Sequence, residues 1–305
     1  MSLKYTEQNH PYIDLGDGYK ICLYEDRCNH GEEFERRARE LLNETPDRIE
    51  KCMADYRAMV TADPDLSVPF DDDYTKLFLR GGSFDPAGTY DLLKNCSRQK
   101  IATPEYFGRV ANVMHVFEEG LVWLLPEKDE DGASVVVVES GKKWNTSKVS
   151  LLELNTAVNA VVAGLIKSQE TQLHGCKLLF DVKGIGMSQI RQFTPKSTAI
   201  TLSLMDNCSP IRILQSNTVN NDFVYNFLYS IMKPLLSKTM REKTFIFGKD
   251  FDALHKNISP KILPPRFGGT STAPSYDGRL LGEMLLHYDD WLQQMHGYGY
   301  KRKEK

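Results

Sequence analysis

The chain has 305 residues, of which 41% are hydrophobic and 26% are charged, and its formal net charge is -3. This composition is typical of a globular protein with one large domain, or with a large and a small one. The slightly acidic balance excludes a general basic field for nucleic acid, so any anion-binding site has to be a local patch. No signal-peptide region opens the sequence and no apolar run reaches the roughly 18 residues of a membrane span, so we expect an intracellular, cytoplasmic protein.

The six cysteines and seven histidines are scattered along the sequence. They form no C-x-x-C pair, no H-E-x-x-H and no regular spacing, so we predict neither a disulfide framework nor a metal site. Acidic runs at residues 71–73 and 289–290 lie at a helix start and in a polar tail, where capping and solubility account for them. No catalytic constellation is present. We therefore expect a protein that is not an enzyme and that uses no metal or nucleotide cofactor.

The first third of the chain divides into an extension and a group of short helices. Residues 1–30 contain Pro11, Gly16 and Gly18, which predict an irregular N-terminal extension. After it, N-cap side chains and first-turn prolines predict a small all-helical domain over residues 31–102. The predicted helices are 32–42, 47–60, 73–80 and 85–100, and a fifth runs from 104 to about 119.

From about residue 121 the sequence changes to short apolar runs that alternate with helical segments. This alternation predicts an α/β domain with a mostly parallel sheet, which we place at residues 103–272. A C-terminal helix near 280–295 and a basic tail occupy residues 273–305. The predicted strands are 135–138, 177–181, 211–214 and 244–247, and the predicted helices are 151–167, 195–207, 219–243 and 252–257.

The helix predicted over 219–243 carries two signatures side by side. Pairs of apolar residues recur every four positions, after N-cap side chains at 220–222, and predict a broad apolar stripe. Pro234 has to bend or end the helix. A core helix with a solvated end explains this pattern, and so does a helix that meets a membrane surface. The basic cluster after the proline consists of Lys238, Arg241 and Lys243.

Gly184 and Gly186 follow a predicted strand and suggest a dinucleotide-binding loop. The third glycine of that motif is missing, because residue 189 is glutamine. The signal is therefore weak, and a loop that needs positive φ explains the two glycines equally well.

Several spaced motifs resemble the CRAL-TRIO lipid-binding family. They are GCKLLFDVKGIGMS at residues 175–188, MKPLLSKTMREK at 232–243 and ILPPRFGG at 262–269. The segment FLRGGSFD at 78–85 resembles the helical N-terminal domain of that family, and the similarity extends from about residue 47 to residue 278. The family contains the α-tocopherol transfer, cellular retinaldehyde-binding and clavesin proteins. The features near the C-terminus, FGGT at 267–270 and YDG at 276–278, are most similar to the retinaldehyde-binding and clavesin branch.

This resemblance implies one closed pocket for a single hydrophobic molecule, with the segment 219–243 as its gate helix. It implies a carrier of tocopherol, a retinoid or a carotenoid-like lipid that visits membranes with phosphatidylinositol bisphosphate transiently and peripherally. A clavesin-like scaffold that binds phosphoinositides during membrane trafficking is the alternative. The scarcity of charge in the predicted elements favours a neutral ligand, because the phosphate of a phospholipid would need a buried cation.

The candidate site residues form two groups. Alternation along the strands and helices predicts the inward-facing residues, and the resemblance implies the cations. Arg266 stands where the family usually has an acidic residue, so it either breaks an ion pair or adds a cation. The predicted pocket residues are Val136, Val138, Phe180, Phe193, Leu204, Met205, Ile213, Phe223, Phe227 and Ile231, and the predicted phosphoinositide-binding residues are Arg80, Arg212, Lys238, Arg241 and Lys243.

Overall fold

The computed structural model describes residues 1–24 and 31–301, and its first 24 residues form a three-stranded antiparallel sheet. Every second residue of the middle strand is buried, as in a sheet with one face on the core. Gly16 and Gly18 adopt positive φ in the turn into the third strand. The prediction of an irregular extension is therefore wrong for this part of the chain. The strands are β1 (Ser2–Tyr5), β2 (Pro11–Gly16) and β3 (Tyr19–Cys22).

Four helices follow, within two residues of the predicted positions. Two of them begin at aspartates whose side chains accept a backbone hydrogen bond, Asp71 from Tyr74 and Asp85 from Ala87. The helices and the two-residue strand between them are α1 (Glu32–Leu42), α2 (Pro46–Thr61), β4 (Leu66–Ser67), α3 (Asp72–Gly81) and α4 (Pro86–Ala102).

The helix predicted from residue 104 to residue 119 is broken. Gly108 has an extended backbone, with φ -70° and ψ 174°, and ends a first 3-10 turn at Pro104–Phe107. A second 3-10 turn, Val110–Val113, leads into the short helix α5 (Met114–Glu118). The sequence pattern is that of one continuous helix, so the prediction missed this interruption.

A five-stranded sheet forms the centre of the remaining chain. Four strands are parallel and overlap the four apolar runs, so the predicted α/β fold with a mostly parallel sheet is confirmed. The third of these strands runs from Ile213 to Val219, so it shares only two residues with the predicted run 211–214. The antiparallel edge strand was not predicted, because three residues are too few to show alternation. In sheet order the strands are β5 (Val122–Leu124), β6 (Ser134–Glu139), β7 (Cys176–Asp181), β8 (Ile213–Val219) and β9 (Thr244–Gly248).

Helices and loops cover both faces of the sheet. On one face, Val137 and Leu179 pack against the segment that follows β9. On the other face, Val138 and Leu178 join the main hydrophobic core. Successive strand residues point to opposite faces, which explains this division. The helices in chain order are α6 (Leu151–Leu165), α7 (Gln169–His174), α8 (Met187–Ile190), α9 (Pro195–Asn207), α10 (Phe223–Met232), α11 (Lys238–Glu242), α12 (Phe251–Leu254), α13 (Gly278–His287) and α14 (Asp289–Gly297).

Two more predicted helices are divided. Pro234 lies in a 3-10 turn, Lys233–Leu235, between α10 and α11, so the segment 219–243 contains two helices. The C-terminal helix is interrupted at Tyr288, and β10 (Gly299–Tyr300) then pairs with β4. Residues 302–305 of the predicted basic tail lie outside the described residues. Among the described helices, none is long and apolar enough to cross a membrane.

Candidate ligand cavity

A cavity lies between the central sheet and the helices α6, α9 and α10. Its volume is about 110 Å³. At the roughly 30 Å³ that a water molecule occupies in the liquid, this is room for about four water molecules. None of the described residues that line it is charged. The lining from the sheet is Val138, Leu178, Phe180, Ser216 and Thr244, and the lining from the helices is Leu151, Leu154, Asn155 and Val158 of α6, Thr201, Leu202 and Met205 of α9, and Tyr225, Leu228, Tyr229 and Met232 of α10.

Four of the predicted pocket residues line this cavity: Val138, Phe180, Phe193 and Met205. They come from two strands, one loop and one helix. On β6 and β7, Val138 and Phe180 lie on the face of the sheet that borders the cavity.

Three other predicted residues are buried but do not line the cavity. Val136 and Ile213 pack into the main core nearer the amino ends of their strands than Val138 and Phe180, outside the lining of the cavity. Leu204 packs against Tyr106 and Phe107. An α-helix turns by about 100° per residue, so Leu204 faces away from the cavity that its neighbours on α9 line. These three assignments are corrected.

The last three predicted pocket residues lie on the outer surface. Phe223, Phe227 and Ile231 are 84%, 55% and 54% exposed, and Leu235 in the following turn is 53% exposed. Residues four apart on a helix lie above one another, so these side chains form one line, which we call the outer stripe. The cavity side of α10, its inner face, consists of Tyr225, Leu228, Tyr229 and Met232.

The wrong face was chosen because the inner face and the outer stripe of α10 are both apolar, and the polar residues Asn226 and Ser230 belong to neither. Apolar residues occur in pairs every four positions, and one member of each pair faces in while the other faces out. The inner face carries the two tyrosines of α10, Tyr225 and Tyr229. The Tyr225 hydroxyl lies 3.2 Å from Thr218 Oγ1 on β8, and burial raises the pKa of Tyr225. The tyrosines at positions 225 and 229 were the sequence signal that could have identified the inner face.

The amino end of α10 is fixed to the carboxyl edge of the sheet. The Asp222 side chain caps the helix by accepting hydrogen bonds from the backbone N–H groups of Val224 and Tyr225. Asn220, at φ 58°, donates from Nδ2 to Asp181 Oδ1 at 2.9 Å. Asn221 Oδ1 accepts from the Gly248 N–H at 2.6 Å. These contacts fix the amino end of α10 to the sheet.

The body of α10 is the least buried wall of the cavity. Leu228 is the one buried residue among the ten described residues of this helix, whereas nine residues of α6 are buried. A wall with few buried side chains costs the least to displace.

The predicted phosphoinositide residue Arg80 is not available for a ligand. It is 5% exposed, and its guanidinium binds Glu44 through Nη2 at 2.7 Å and Nε at 3.0 Å. A third hydrogen bond joins Nη1 to Gln172. Because these three contacts occupy the guanidinium, its assignment to a phosphoinositide site is corrected.

The other four cations lie around the first residues of β8 and on α11. Arg212 donates to the Leu173 carbonyl, while its buried Nε finds no acceptor among the described residues. Burial lowers the pKa of this guanidinium, which nonetheless stays charged. Lys243 donates to the Ile213 carbonyl at 3.3 Å, and Lys238 and Arg241 are exposed. Their role in binding phosphoinositides stays a prediction.

Comparison with known proteins identifies the family. A model of the CRAL/TRIO domain matches residues 118–269. The chain belongs to the CRAL-TRIO family. The human alpha-tocopherol transfer protein-like protein is 30% identical over 266 residues, which cover 86% of this chain and 77% of that protein. Clavesin-1 of Xenopus laevis is 26% identical over 253 residues (81% and 75%), and human clavesin-2 is 26% identical over 261 residues (83% and 79%).

Membership of the CRAL-TRIO family gives the apolar cavity a role, because this is a family of lipid-binding proteins. The matched residues contain the whole central sheet and both α10 and α11. The cavity is therefore the candidate lipid site.

Arg266 forms an ion pair in this CRAL-TRIO domain. Its guanidinium binds Glu139 at the end of β6 and lies 5.0 Å from the centre of the Trp123 ring. Trp123 Nε1 also donates to Glu139. The basic residue therefore compensates a carboxylate that is 7% exposed, which answers the question that the sequence left open.

We expect Glu44→Ala to lower the free energy of unfolding by about 3 to 5 kcal/mol, because it leaves the buried Arg80 guanidinium without its carboxylate. Glu44→Leu combined with Arg80→Met should recover most of this loss. Urea unfolding measures both variants, and Asp72→Ala, which breaks an exposed pair with Arg57, is the control that should change little. If the double variant kept its fold but lost binding to phosphoinositide vesicles, the correction of Arg80 would be wrong.

Proposed function

We propose that this CRAL-TRIO protein carries one neutral hydrophobic molecule, of the tocopherol, retinoid or carotenoid type, and exchanges it at membranes that contain phosphatidylinositol bisphosphate. In this proposal α10 is the gate. The observation that carries it is the arrangement of this helix: its inner face closes an uncharged cavity, and its outer stripe exposes apolar side chains.

The lining of the cavity supports a neutral ligand. A buried phosphate would need a cation or several hydrogen-bond donors directed at it. The described lining residues supply aliphatic, aromatic, hydroxyl and amide groups but no cation. A molecule that is apolar over most of its length fits these walls best.

The size of the cavity requires a wall to move. Its 110 Å³ hold about four water molecules, whereas a tocopherol has about thirty heavy atoms. Among the walls, α10 has the fewest buried side chains and has its fixed point at one end. We therefore assign the necessary movement to α10.

The energies of the two faces of α10 are similar in size. Removing the four inner-face side chains from the protein interior costs roughly 6 to 12 kcal/mol. Transfer of the half-exposed outer stripe from water into a bilayer recovers about 4 to 8 kcal/mol. A membrane thus offsets most of the free energy that is needed to move α10 away from the cavity, whereas water does not. In this proposal the ligand is therefore exchanged only at membrane surfaces.

Cations beside the outer stripe support an anionic membrane. Lys233, Lys238 and Arg241 are exposed on the segment that continues α10, and Glu242 is the acidic residue among them. Such cations attract the protein to anionic lipid. The buried Nε of Arg212, which lacks an acceptor among the described residues, is a donor that a phosphate oxygen could satisfy.

A transfer assay tests this function. The protein loaded with α-tocopherol is mixed with acceptor vesicles of phosphatidylcholine, with or without phosphatidylinositol 4,5-bisphosphate. We expect one tocopherol per chain and faster delivery to the vesicles with the phosphoinositide. Equal delivery to both would contradict the membrane part of the proposal.

A phosphoinositide-binding scaffold for membrane trafficking is the second candidate. The similarity to clavesins and the exposed cations of α11 favour it. In that case the protein would bind the phosphoinositide vesicles but would take up none of α-tocopherol, retinol and β-carotene.

A further inference from the structure

One amide group in the cavity wall has a fixed orientation. Asn155 of α6 and Thr201 of α9 both line the cavity, and Asn155 Nδ2 lies 2.7 Å from Thr201 Oγ1. Thr201 Oγ1 in turn lies 2.9 Å from the carbonyl oxygen of Ser197, one turn earlier in α9.

The chemistry of these three groups determines which atom of Asn155 meets Thr201. The Ser197 carbonyl can only accept, so the single hydroxyl proton of Thr201 is donated to it. Thr201 Oγ1 can then only accept from Asn155, which places the NH₂ group of the amide at this contact. Asn155 Oδ1 remains as an acceptor that receives no hydrogen bond from any of the described residues.

We propose that Asn155 Oδ1 binds the hydroxyl group of the cargo, so that the protein selects a hydrophobic alcohol or phenol. This inference rests on the proposed carrier function and narrows its ligand class. A ligand with a hydroxyl proton satisfies the free acceptor. An ether or an aldehyde places a second acceptor against Asn155 Oδ1, whereas a hydrocarbon leaves this oxygen without a hydrogen bond. Each of these ligands should therefore bind more weakly than an alcohol or a phenol.

The other polar groups of the cavity leave the choice open or favour the same ligand. Hydroxyl groups such as those of Ser140 and Ser216 rotate and can donate or accept. Thr244 Oγ1 donates its one proton to the Met240 carbonyl, so towards a ligand it can only accept, and the Tyr225 hydroxyl is paired with Thr218. Asn155 is the lining amide whose orientation favours a donor on the ligand, and Thr244 does not oppose it.

The test compares α-tocopherol with its methyl ether, which lacks the hydroxyl proton. Fluorescence titration should show about ten-fold tighter binding of the phenol to the wild-type protein. In Asn155→Leu the two affinities should become equal within about two-fold. Asn159→Leu, one turn further along α6, removes an amide that donates to the Tyr106 carbonyl instead, and it should keep the ten-fold preference.

A second variant separates selection from folding. Thr201→Val removes the acceptor that orients Asn155, so the amide can turn and the preference for the phenol should fall while the ether keeps its affinity. A preference that survives in Asn155→Leu, or disappears only in Ser216→Ala, would overturn the assignment. Equal binding of both compounds to the wild type overturns this inference alone, whereas the absence of any binding overturns the carrier function with it.

Discussion

Replacement of Phe223, Phe227 and Ile231 by alanine in one variant is expected to slow ligand transfer to phosphoinositide vesicles by about 100-fold or more. Each side chain contributes roughly 1 to 1.5 kcal/mol when it enters a bilayer, and the three together account for that factor. The side chains are more than half exposed, so little protein packing is lost. The midpoint of thermal unfolding should stay within about 2 °C of the wild type.

Two matched variants make this result specific. Phe70→Ala removes a phenylalanine that is 48% exposed in the loop before α3, far along the chain from α10, and should leave transfer unchanged. Leu228→Ala removes the buried residue of the inner face and should lower stability by about 2 to 5 kcal/mol. Normal transfer by the triple alanine variant would show that the outer stripe does not enter the membrane.

Val158→Trp is expected to reduce the affinity for α-tocopherol by about 100-fold or more while binding to phosphoinositide vesicles is retained. Val158 lines the cavity from α6, which is firmly packed, so a larger side chain there fills the space that the ligand would occupy. Ligand affinity and vesicle binding are measured separately, by titration and by co-sedimentation.

Met205→Trp fills the same space from α9 and serves as an independent second variant. Val158→Leu adds little volume and is the control. Wild-type affinity in both tryptophan variants, with unfolding midpoints close to that of the wild type, would place the ligand elsewhere. Loss of vesicle binding as well would indicate that the variants disturb the fold rather than the cavity.

The central sheet could be predicted because its information is local. The run 135–138 is continuous and apolar, and the run 177–181 is apolar at its centre, residues 178–180, as expected of parallel strands that are covered on both faces. The N-terminal sheet was not predicted, because turn glycines such as Gly16 and Gly18 occur both in hairpins and in irregular loops. Its middle strand does alternate, and five to six residues of alternation were the signal.

The details of the site depend on packing between distant segments. The two faces of α10 are both apolar, so the sequence does not say which of them meets the cavity. The ion pair of Arg80 joins it to Glu44, which lies 36 positions earlier in the sequence. No local sequence pattern predicts a contact over that distance. The role of Asn155 could not be predicted from the sequence either, because its amide is oriented by Thr201, which lies 46 residues later on α9.

The most direct test of the carrier function is the composition of what the protein holds when it is purified from its native source. Native mass spectrometry gives the stoichiometry, and organic extraction followed by mass and ultraviolet spectra identifies the molecule. We predict one neutral lipid per chain that carries a hydroxyl group. Recovery of phospholipid alone would contradict the account and would favour the phosphoinositide scaffold.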